Sequence, residues 1–243
     1  MHYCEIDPSA ELRPFIRCYW TLSGRFVGDP QPQRVFPDGS MELIFHFADP
    51  FRHQGQRQKG ALLAGQIWSP ITLEPSPDCD VLGVRFRSGG AAAFLRFPQQ
   101  EVAGQILPLA DIWPRGGQRL YEQIGNAPGR ISTLERILIS MRPSSAMPER
   151  TLSSRQYRRR FESAVGIPPK LLQRIYRFQR VLPMIGRIPM SQAALAAGYY
   201  DQAHLIRDFR QFAGITPSQW LRGRHDVLFF QDILEAEAIA SSL

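Results

Sequence analysis

The side chains best suited to chemistry in this chain are arginines, concentrated between residues 150 and 224. This segment holds fourteen Lys and Arg residues, thirteen of them Arg, against three acidic residues, for a net charge of +11. The rest of the 243-residue chain has a net charge of −4. A guanidinium group donates paired hydrogen bonds to phosphate and to the guanine edge. The confined basic excess therefore predicts a polyanionic partner, and a merely solvated basic surface is the alternative.

The basic segment contains one short pattern twice, 48 residues apart. Residues 153–161 align with residues 201–209, and a Gly-Ile-x-Pro stretch follows each copy. Both copies hold a helix-capping residue, an arginine and an aromatic residue at the same positions. The matched pairs are Ser153 with Asp201, Arg159 with Arg207, and Phe161 with Phe209. One basic helix presented twice predicts contact with two neighbouring stretches of nucleic acid.

The second copy has the pattern of a complete helix-turn-helix. Residues 190–197 are alanine-rich with an apolar stripe, Ser191 is predicted to cap this helix, and Gly198 suits the left-handed position that ends it. Asp201 then caps a second helix. The residues of that helix predicted to face the core are Leu205, Phe209 and Phe212. The residues left outside are Gln202, Ala203, His204, Ile206, Arg207 and Arg210. DNA binding is favoured over an ordinary helical hairpin with a solvated arginine face.

These residues suggest a family. Residues 194–217 closely resemble the signature of AraC/XylS-type transcription regulators, and residues 152–172 resemble the upstream recognition helix of that family. The stretches 34–45 and 83–90 resemble, more loosely, a sensor domain fused to such regulators. The resemblance implies a transcription regulator with double-stranded DNA as its partner. RNA polymerase, a small-molecule effector and a second copy of the chain are further partners that it suggests.

The first copy departs from the family where a supporting helix is expected. Residues 143–150, which align with the scaffold helix of the second copy, contain two prolines, no apolar stripe and no closing glycine. A proline inside a helix costs about 3 kcal/mol, so no equivalent helix is expected there. The first recognition helix either lacks this support or recruits residues 131–141 across a loop. Pro183 is also predicted to interrupt the joining helix. The second copy is therefore expected to dominate sequence recognition.

The predicted DNA contacts fall into two classes. Polar residues at the starts of the two recognition helices would contact base edges, since Arg pairs with guanine and Gln with adenine in the major groove. The residues assigned to this recognition surface are Ser153, Arg155, Gln156, Arg159, Gln202, Ala203, His204 and Arg207. Phosphate contacts, which position without specifying, are assigned to Lys170, Arg174, Arg177 and Arg222. The two helices would enter successive major grooves about 34 Å apart.

The N-terminal part has the pattern of a small β-rich domain. Three short segments are rich in β-branched and aromatic residues and are separated by turns such as Pro37–Ser40. These predicted strands are residues 18–23, 41–47 and 81–87. Residues 91–97 predict a short helix, and residues 108–140 predict helices interrupted near 125–129.

The predicted fold class is α+β. A small β-barrel-like (cupin-like) regulatory domain with short helices would occupy residues 1–142, and an all-α helix-turn-helix domain residues 150–224. The proline-containing stretch 142–148 is the predicted boundary, and residues 225–243 form an acidic, apolar tail predicted to be helical.

A second candidate site lies among polar residues of the predicted sheet. These residues could line a sensor pocket, but cross-strand ion pairs on an exposed face are the favoured interpretation. The candidate ligand-binding residues are Arg34, Asp38, Glu42, His46 and Arg85, with Arg87 as a neighbour.

Other chemistry is sparse. Cys4, Cys18 and Cys79 show no CxxC spacing and the histidines no HxH or HExxH spacing, so neither a metal nor a cofactor is predicted. No GxSxG, Walker or GxGxxG motif occurs. No signal peptide or membrane-length apolar stretch is visible, which predicts a cytoplasmic protein with reduced cysteines and no membrane partner.

Two alternatives to the regulator remain open. One is a DNA-targeted enzyme that uses a cysteine as an alkyl acceptor, which would need an activated thiolate. The other is a paralogue that has lost DNA binding and acts through protein contacts.

Overall fold

A computed structural model describes residues 1–26, 30–141 and 153–222, which form two compact units. The first unit comprises Met1–Pro30, Ser40–Gln66 and Glu74–Pro168, and the second comprises Gln31–Gly39, Ile67–Leu73 and the residues from Pro169 onward. Each unit thus combines residues from both halves of the sequence. The predicted boundary at 142–148, the questioned scaffold segment 143–150 and the tail 225–243 lie outside the described residues. The division into domains 1–142 and 150–224 stays a prediction.

The described strands are short and lie in the first half of the chain. In order they are β1 (His2–Ile6), β2 (Ile16–Arg25), β3 (Gln33–Val35), β4 (Glu42–His46), β5 (Arg52–His53), β6 (Gln56–Arg57), β7 (Ala61–Ala64), β8 (Ile71–Glu74), β9 (Asp78–Phe86) and β10 (Ile106–Pro108). The three predicted strands are confirmed as β2, β4 and β9.

A six-stranded antiparallel sheet forms the centre of the first unit. Its order is β1-β2-β9-β4-β7-β10, so β1 and β10 are its edges among the described residues. The predicted α+β class is confirmed, with antiparallel strands followed by a helical helix-turn-helix region. Leu43 and Phe45 of β4, and Met41 just before it, are buried at alternate positions as the period of two predicts, while His46 on the other face is buried as well.

The centre of this sheet shows why one strand position holds glycine. Gly83 lies opposite Trp20 in the register of β2 and β9. A Cβ atom on Gly83 would lie 1.9 Å from Cε2 of the Trp20 ring, well inside van der Waals contact. The indole therefore lies flat across β9, and it is buried there.

Four helices complete the first unit. They are α1 (Leu109–Ile112), α2 (Gly117–Gly125), α3 (Arg130–Ser140) and α4 (Ser154–Val165). The predicted helical region at 108–140, with its loop near 125–129, is confirmed. The predicted helix at 91–97 is wrong in extent, because only a 3₁₀ turn forms at Ala91–Ala93. A segment this short, stopped by Pro98, gains too few hydrogen bonds to offset the cost of helix nucleation.

The second unit contains four helices and two of the short strands. β3 pairs with β8, and the helices are α5 (Pro169–Val181), α6 (Met190–Ala197), α7 (Gln202–Ala213) and α8 (Pro217–Arg222). The predicted interruption at Pro183 is confirmed, since α5 ends at Val181 and a 3₁₀ turn follows. Phe178 of α5 centres the core, with its ring 5.4 Å from the rings of Phe209 and Phe212. No described helix has the length and apolarity required to cross a membrane.

Candidate nucleic-acid interface

Helices α6 and α7 form the second helix-turn-helix. Gly198 ends α6 with a φ of 88°, in the left-handed region that favours glycine. The Asp201 carboxylate caps α7 and accepts a hydrogen bond of 2.6 Å from the backbone N–H of His204. These two predictions are confirmed. The predicted cap at Ser191 is wrong: Pro189 holds extended backbone immediately before α6, so the helix begins at Met190 and Ser191 lies inside it.

The two faces of α7 are sharply different. Leu205, Phe209 and Phe212 are fully buried, as predicted. Arg207 precedes Phe209 by two residues, a rotation of about 200° around the helix, and it is exposed. Gln202 and Ala203 at the start of α7 are exposed and His204 is half-buried, with its ring 5.2 Å from that of Tyr199.

Helix α4, the predicted first recognition helix, is capped at both ends by residues adjacent to it in the sequence. The Ser153 hydroxyl oxygen accepts a hydrogen bond from the backbone N–H of Gln156. The side-chain oxygen Oε1 of Gln156 accepts one from the backbone N–H of Ser153, at 3.2 Å. This capping box satisfies donors that a helix start leaves unpaired. Gly166 ends the helix with a φ of 96°. The predicted starts and ends of both recognition helices therefore hold.

Helix α4 repeats the facial arrangement of α7. Its buried residues are Phe161, Ala164 and Val165. Arg159 precedes Phe161 by two residues, as Arg207 precedes Phe209, and it is exposed together with Arg155. Arg155, Arg159 and Arg207 form no ion pair with any residue that the structure describes, whereas Arg158 pairs with Glu162 at 2.7 Å.

Support for α4 comes from the N-terminal half of the chain. Within the first unit, α4 packs against the 3₁₀ turns Ala91–Ala93 and Gln99–Glu101. A Cβ atom on Gly166 would lie 3.2 Å from the carbonyl oxygen of Gln99. The fully buried Gln99 amide donates to the carbonyls of Leu95 and Phe97, at 3.1 and 2.6 Å. The end of the first recognition helix is thus held by a rigid turn that the sequence pattern did not reveal.

The residues assigned to phosphate occupy different environments. Lys170 and Arg222 are exposed. Arg177 lies over the Tyr199 ring, 5.5 Å from its centroid. Arg174 donates to Asp208 Oδ1 from Nη2 at 2.7 Å and from Nε at 3.2 Å, and to Gln211 Oε1 at 2.5 Å. The contact between Arg174 and Asp208 joins α5 to α7, and sequence reasoning missed it because 34 residues separate the partners.

The five candidate ligand residues belong to two different units, and two of them, Glu42 and Arg85, are paired. Arg34 and Asp38 belong to the second unit, and Glu42, His46 and Arg85 to the first. Glu42 and Arg85 face each other across β4 and β9 and form a cross-strand pair at 2.6 Å, but the pair does not lie on an exposed face as the favoured interpretation expected. Arg85 also donates to Glu5 at 2.9 Å, and both partners of the Glu42 pair are largely buried.

His46 is buried, and burial lowers its pKa to about 4, an effect that a contact with Gln58 partly offsets. It is therefore neutral at neutral pH. Its ring packs edge-on against Phe51, 5.0 Å away. The side chain fills the core of the first unit.

A groove of about 660 Å³ lies along α1, α2 and α3 of the first unit. Its walls are mostly apolar and include Trp113, Leu120 and Met141, while Arg115 and Arg119 lie at its rim and are exposed. No motif in the sequence pointed to this groove, because residues 112–123 form it only together with residues 137 and 141 of the following helical segment.

Two of the three cysteines lack the environment of a reactive thiol. Cys18 and Cys79 are buried, and burial raises the pKa of each thiol to about 11. Among the described residues no group of His, Cys, Asp and Glu has the arrangement of a metal site.

Comparisons with known proteins agree with this geometry. Residues 149–223 match a family described as a helix-turn-helix domain, and residues 4–108 match one described as Domain of unknown function (DUF6597). No curated protein matches the chain.

Solved structures of ToxT from Vibrio cholerae are also similar to the chain. One, at 1.65 Å resolution, has 9% identity and a TM-score of 0.39, covering 84% of this chain and 97% of that one. Another, bound to (E)-4-(8-methylnaphthalen-1-yl)but-3-enoic acid, has 10% identity and a TM-score of 0.38, covering 84% and 98%.

The match of residues 149–223 spans both recognition helices, α4 and α7. Each is capped, buried on one side and lined with exposed arginine on the other. The chain is therefore a DNA-binding transcription regulator that carries a helix-turn-helix domain of the AraC type behind an N-terminal DUF6597 domain.

Proposed function

We propose that this regulator binds its operator through both recognition helices, α4 and α7, placed in successive major grooves about 34 Å apart. The observation that carries the proposal is the repeated geometry of the two helices. In each, an exposed arginine that pairs with no described residue lies opposite a fully buried or nearly buried phenylalanine. Such an arginine can approach the DNA while the helix stays anchored in its own core.

Base recognition is assigned to Arg207 and Gln202 in α7 and to Arg155 and Arg159 in α4. Arg pairs bidentately with guanine and Gln with adenine, each pair contributing about 1 to 3 kcal/mol of discrimination. The side-chain oxygen Oε1 of Gln156 already accepts a hydrogen bond in the capping box. Its amide N–H groups remain the part of that side chain proposed for DNA. Ser153, Ala203 and His204 complete the proposed surface.

Phosphate contact is assigned first to Lys170 and Arg222, which are exposed and form no ion pair with described residues. Arg177 keeps a secondary role because its guanidinium lies over Tyr199. Arg174 is proposed as a phosphate contact only through the part of its guanidinium that faces solvent, since its side chain is 33% exposed.

The first unit is proposed to respond to a small molecule. The α1–α3 groove supports this, because an apolar floor with two arginines at its rim suits a ligand with an apolar body and an anionic end. Contact with RNA polymerase, a homodimer and a cytoplasmic location are further parts of the proposal. Sedimentation at micromolar concentration tests the dimer.

Selection of bound sequences from a random DNA library tests the proposed function. Two conserved half-sites about one helical turn apart are expected, and log K should fall against log salt with a slope of about −5 if six phosphates are neutralised. The absence of selected DNA, with a nearly flat salt dependence, would instead favour the paralogue that acts through protein contacts. The alkyl-acceptor enzyme finds no support in the two buried thiols, whose pKa values are raised.

A further inference from the structure

Two segments from the first third of the chain lie in the unit that contains α7. They are residues 31–39 and 67–73, here called the N-terminal insert. The insert is held together by the pairing of β3 with β8, in which Gln33 lies opposite Leu73 and Val35 opposite Ile71. The family match to the helix-turn-helix begins only at residue 149. Both segments of the insert lie within residues 4–108, which match DUF6597, so the unit that contains α7 includes residues from outside the helix-turn-helix match.

Phe36 of the insert belongs to the aromatic core of the second unit. It is 6% exposed, and its ring lies 5.5 Å from that of Phe178 and 5.4 Å from that of Trp220. Phe178 and Trp220 both contact Phe209, the residue that anchors α7. Removing a buried aromatic ring leaves a cavity that neighbouring side chains fill only partly. Removing the Phe36 ring would therefore loosen the packing of Phe178 and Trp220 against Phe209 of α7.

Two hydrogen bonds fix the insert to helix ends. Arg34 Nη1 donates to the carbonyl oxygen of Ala213, the last residue of α7, at 3.2 Å. A cation at this place satisfies a carbonyl that the helix leaves unpaired and complements the helix dipole. Gln179 of α5 donates to the carbonyl oxygen of Pro37 at 2.7 Å. Pro70 also approaches the turn after α7, since a Cβ atom on Gly214 would lie 3.2 Å from its ring.

We propose that the N-terminal insert positions α7 for DNA recognition, with Arg34 and Phe36 as the positioning residues. Phe36 packs against Phe178 and Trp220, which in turn contact α7, and Arg34 donates a hydrogen bond to the last residue of that helix. The insert is joined by peptide bonds to the first unit at residues 30, 39, 66 and 73. This inference rests on the proposed role of α7 in base recognition, and it gives residues 34–37 a function unrelated to a ligand pocket.

The test uses the full chain and three variants. Phe36→Ala removes the ring, Phe36→Leu keeps an apolar side chain, and Phe51→Ala removes an equally buried ring from the first unit. Each is tested at a temperature where circular dichroism shows it folded. The measurements are binding to the selected operator and to scrambled DNA at one salt concentration, and hydrogen exchange of α7 amides without DNA.

Phe36→Ala should lower the affinity for the operator about tenfold, because part of the binding free energy of one base contact is lost. Its affinity for scrambled DNA should change little. It should also speed exchange in α7. Phe36→Leu should restore most of both, and Phe51→Ala should change neither. If Phe36→Ala does not fold, Arg34→Met carries the same test, because it removes only the hydrogen bond to Ala213.

The proposal is overturned if Phe36→Ala keeps wild-type operator affinity and α7 exchange, or if Phe51→Ala lowers both equally. The exchange measurement separates this inference from the proposed function. A wild-type chain that selects no DNA would contradict the proposed function, and faster exchange of the α7 amides in Phe36→Ala would then show only that the insert holds α7 in place.

Discussion

Replacing Arg174 by alanine should destabilise the second unit more than it weakens phosphate binding. Asp208 is only 3% exposed at its side chain, and its Oδ1 atom accepts both hydrogen bonds from Arg174. Its Oδ2 atom has no hydrogen-bond partner among the described residues. Removing Arg174 would leave a buried carboxylate whose Oδ2 atom lies 4.0 Å from Nε2 of His204.

The size of the effect follows from burial. Breaking a fully buried ion pair costs about 3 to 5 kcal/mol, because the remaining charge loses its partner. The Arg174 side chain is 33% exposed, so water reaches the site and reduces the cost to the bottom of this range or slightly below it. We expect a loss of about 2 to 3 kcal/mol, which lowers Tm by about 5 to 10 °C in a chain of this length.

Thermal melting and salt-dependent DNA binding together decide the role of Arg174. Lys170→Ala is the matched control, since Lys170 is exposed and pairs with no described residue. It should leave Tm unchanged and reduce the salt slope by about 1. The double variant Arg174→Met, Asp208→Leu should recover most of the lost stability, because neither charge remains buried alone. If Arg174→Ala keeps the wild-type Tm and only reduces the salt slope, Arg174 is a phosphate contact and the structural role is refuted.

Three further predictions follow from burial and backbone geometry. The pKa of His46 is about 4 in the folded chain and about 6.5 in the unfolded chain, so the free energy of unfolding should be highest above pH 6.5 and fall by about 3 kcal/mol towards pH 4. His46→Gln should flatten this pH dependence in urea melts. An unchanged pH dependence in that variant would contradict the assignment. Gly166→Ala should cost more than Gly198→Ala in the same assay, about 2 against 1 kcal/mol, because only Gly166 approaches a backbone carbonyl closely; equal losses would count against that contact. Iodoacetamide should label the half-exposed Cys4 first and leave the two buried cysteines nearly unreacted in the folded chain; rapid labelling of a buried thiol would revive the enzyme alternative.

Local signals in the sequence were sufficient for most helix ends. The caps Ser153 and Asp201 and the closing Gly166 and Gly198 act within a few residues of themselves, so their sequence positions identify them. The cap at Ser191 failed because Pro189 outcompeted it by fixing the backbone one residue before the helix. Periodicity likewise gave the buried faces of β4 and α7.

Contacts between distant segments were beyond the sequence pattern. The Pro37–Ser40 stretch predicts a turn, which Gly39 confirms with a φ of 82°. Nothing local indicates that Phe36 packs with Phe178, 142 residues later. The same holds for the buried Gln99 turn under α4, because its partner Gly166 is distant in the chain. A single sequence shows which residues prefer burial and leaves their partners open.

These distant contacts alter the expectation for the first recognition helix. Its sequence, without a scaffold helix, predicted loose support and a minor role. The structure gives α4 a cap at each end and a buried face in the first unit. We therefore expect Arg159 to be held as firmly as Arg207.

The most direct test of two-helix recognition compares Arg159→Ala with Arg207→Ala on the selected operator. Each variant should lose about 1 to 3 kcal/mol of operator affinity, with little loss on scrambled DNA at the same salt concentration. Repeating the selection with each variant should show relaxed base preference in one half-site, a different one for each. If Arg207→Ala alone changes the selected sequence, and Arg159→Ala weakens all DNA equally, then α4 contacts only the backbone and the claim that both helices recognise bases is wrong.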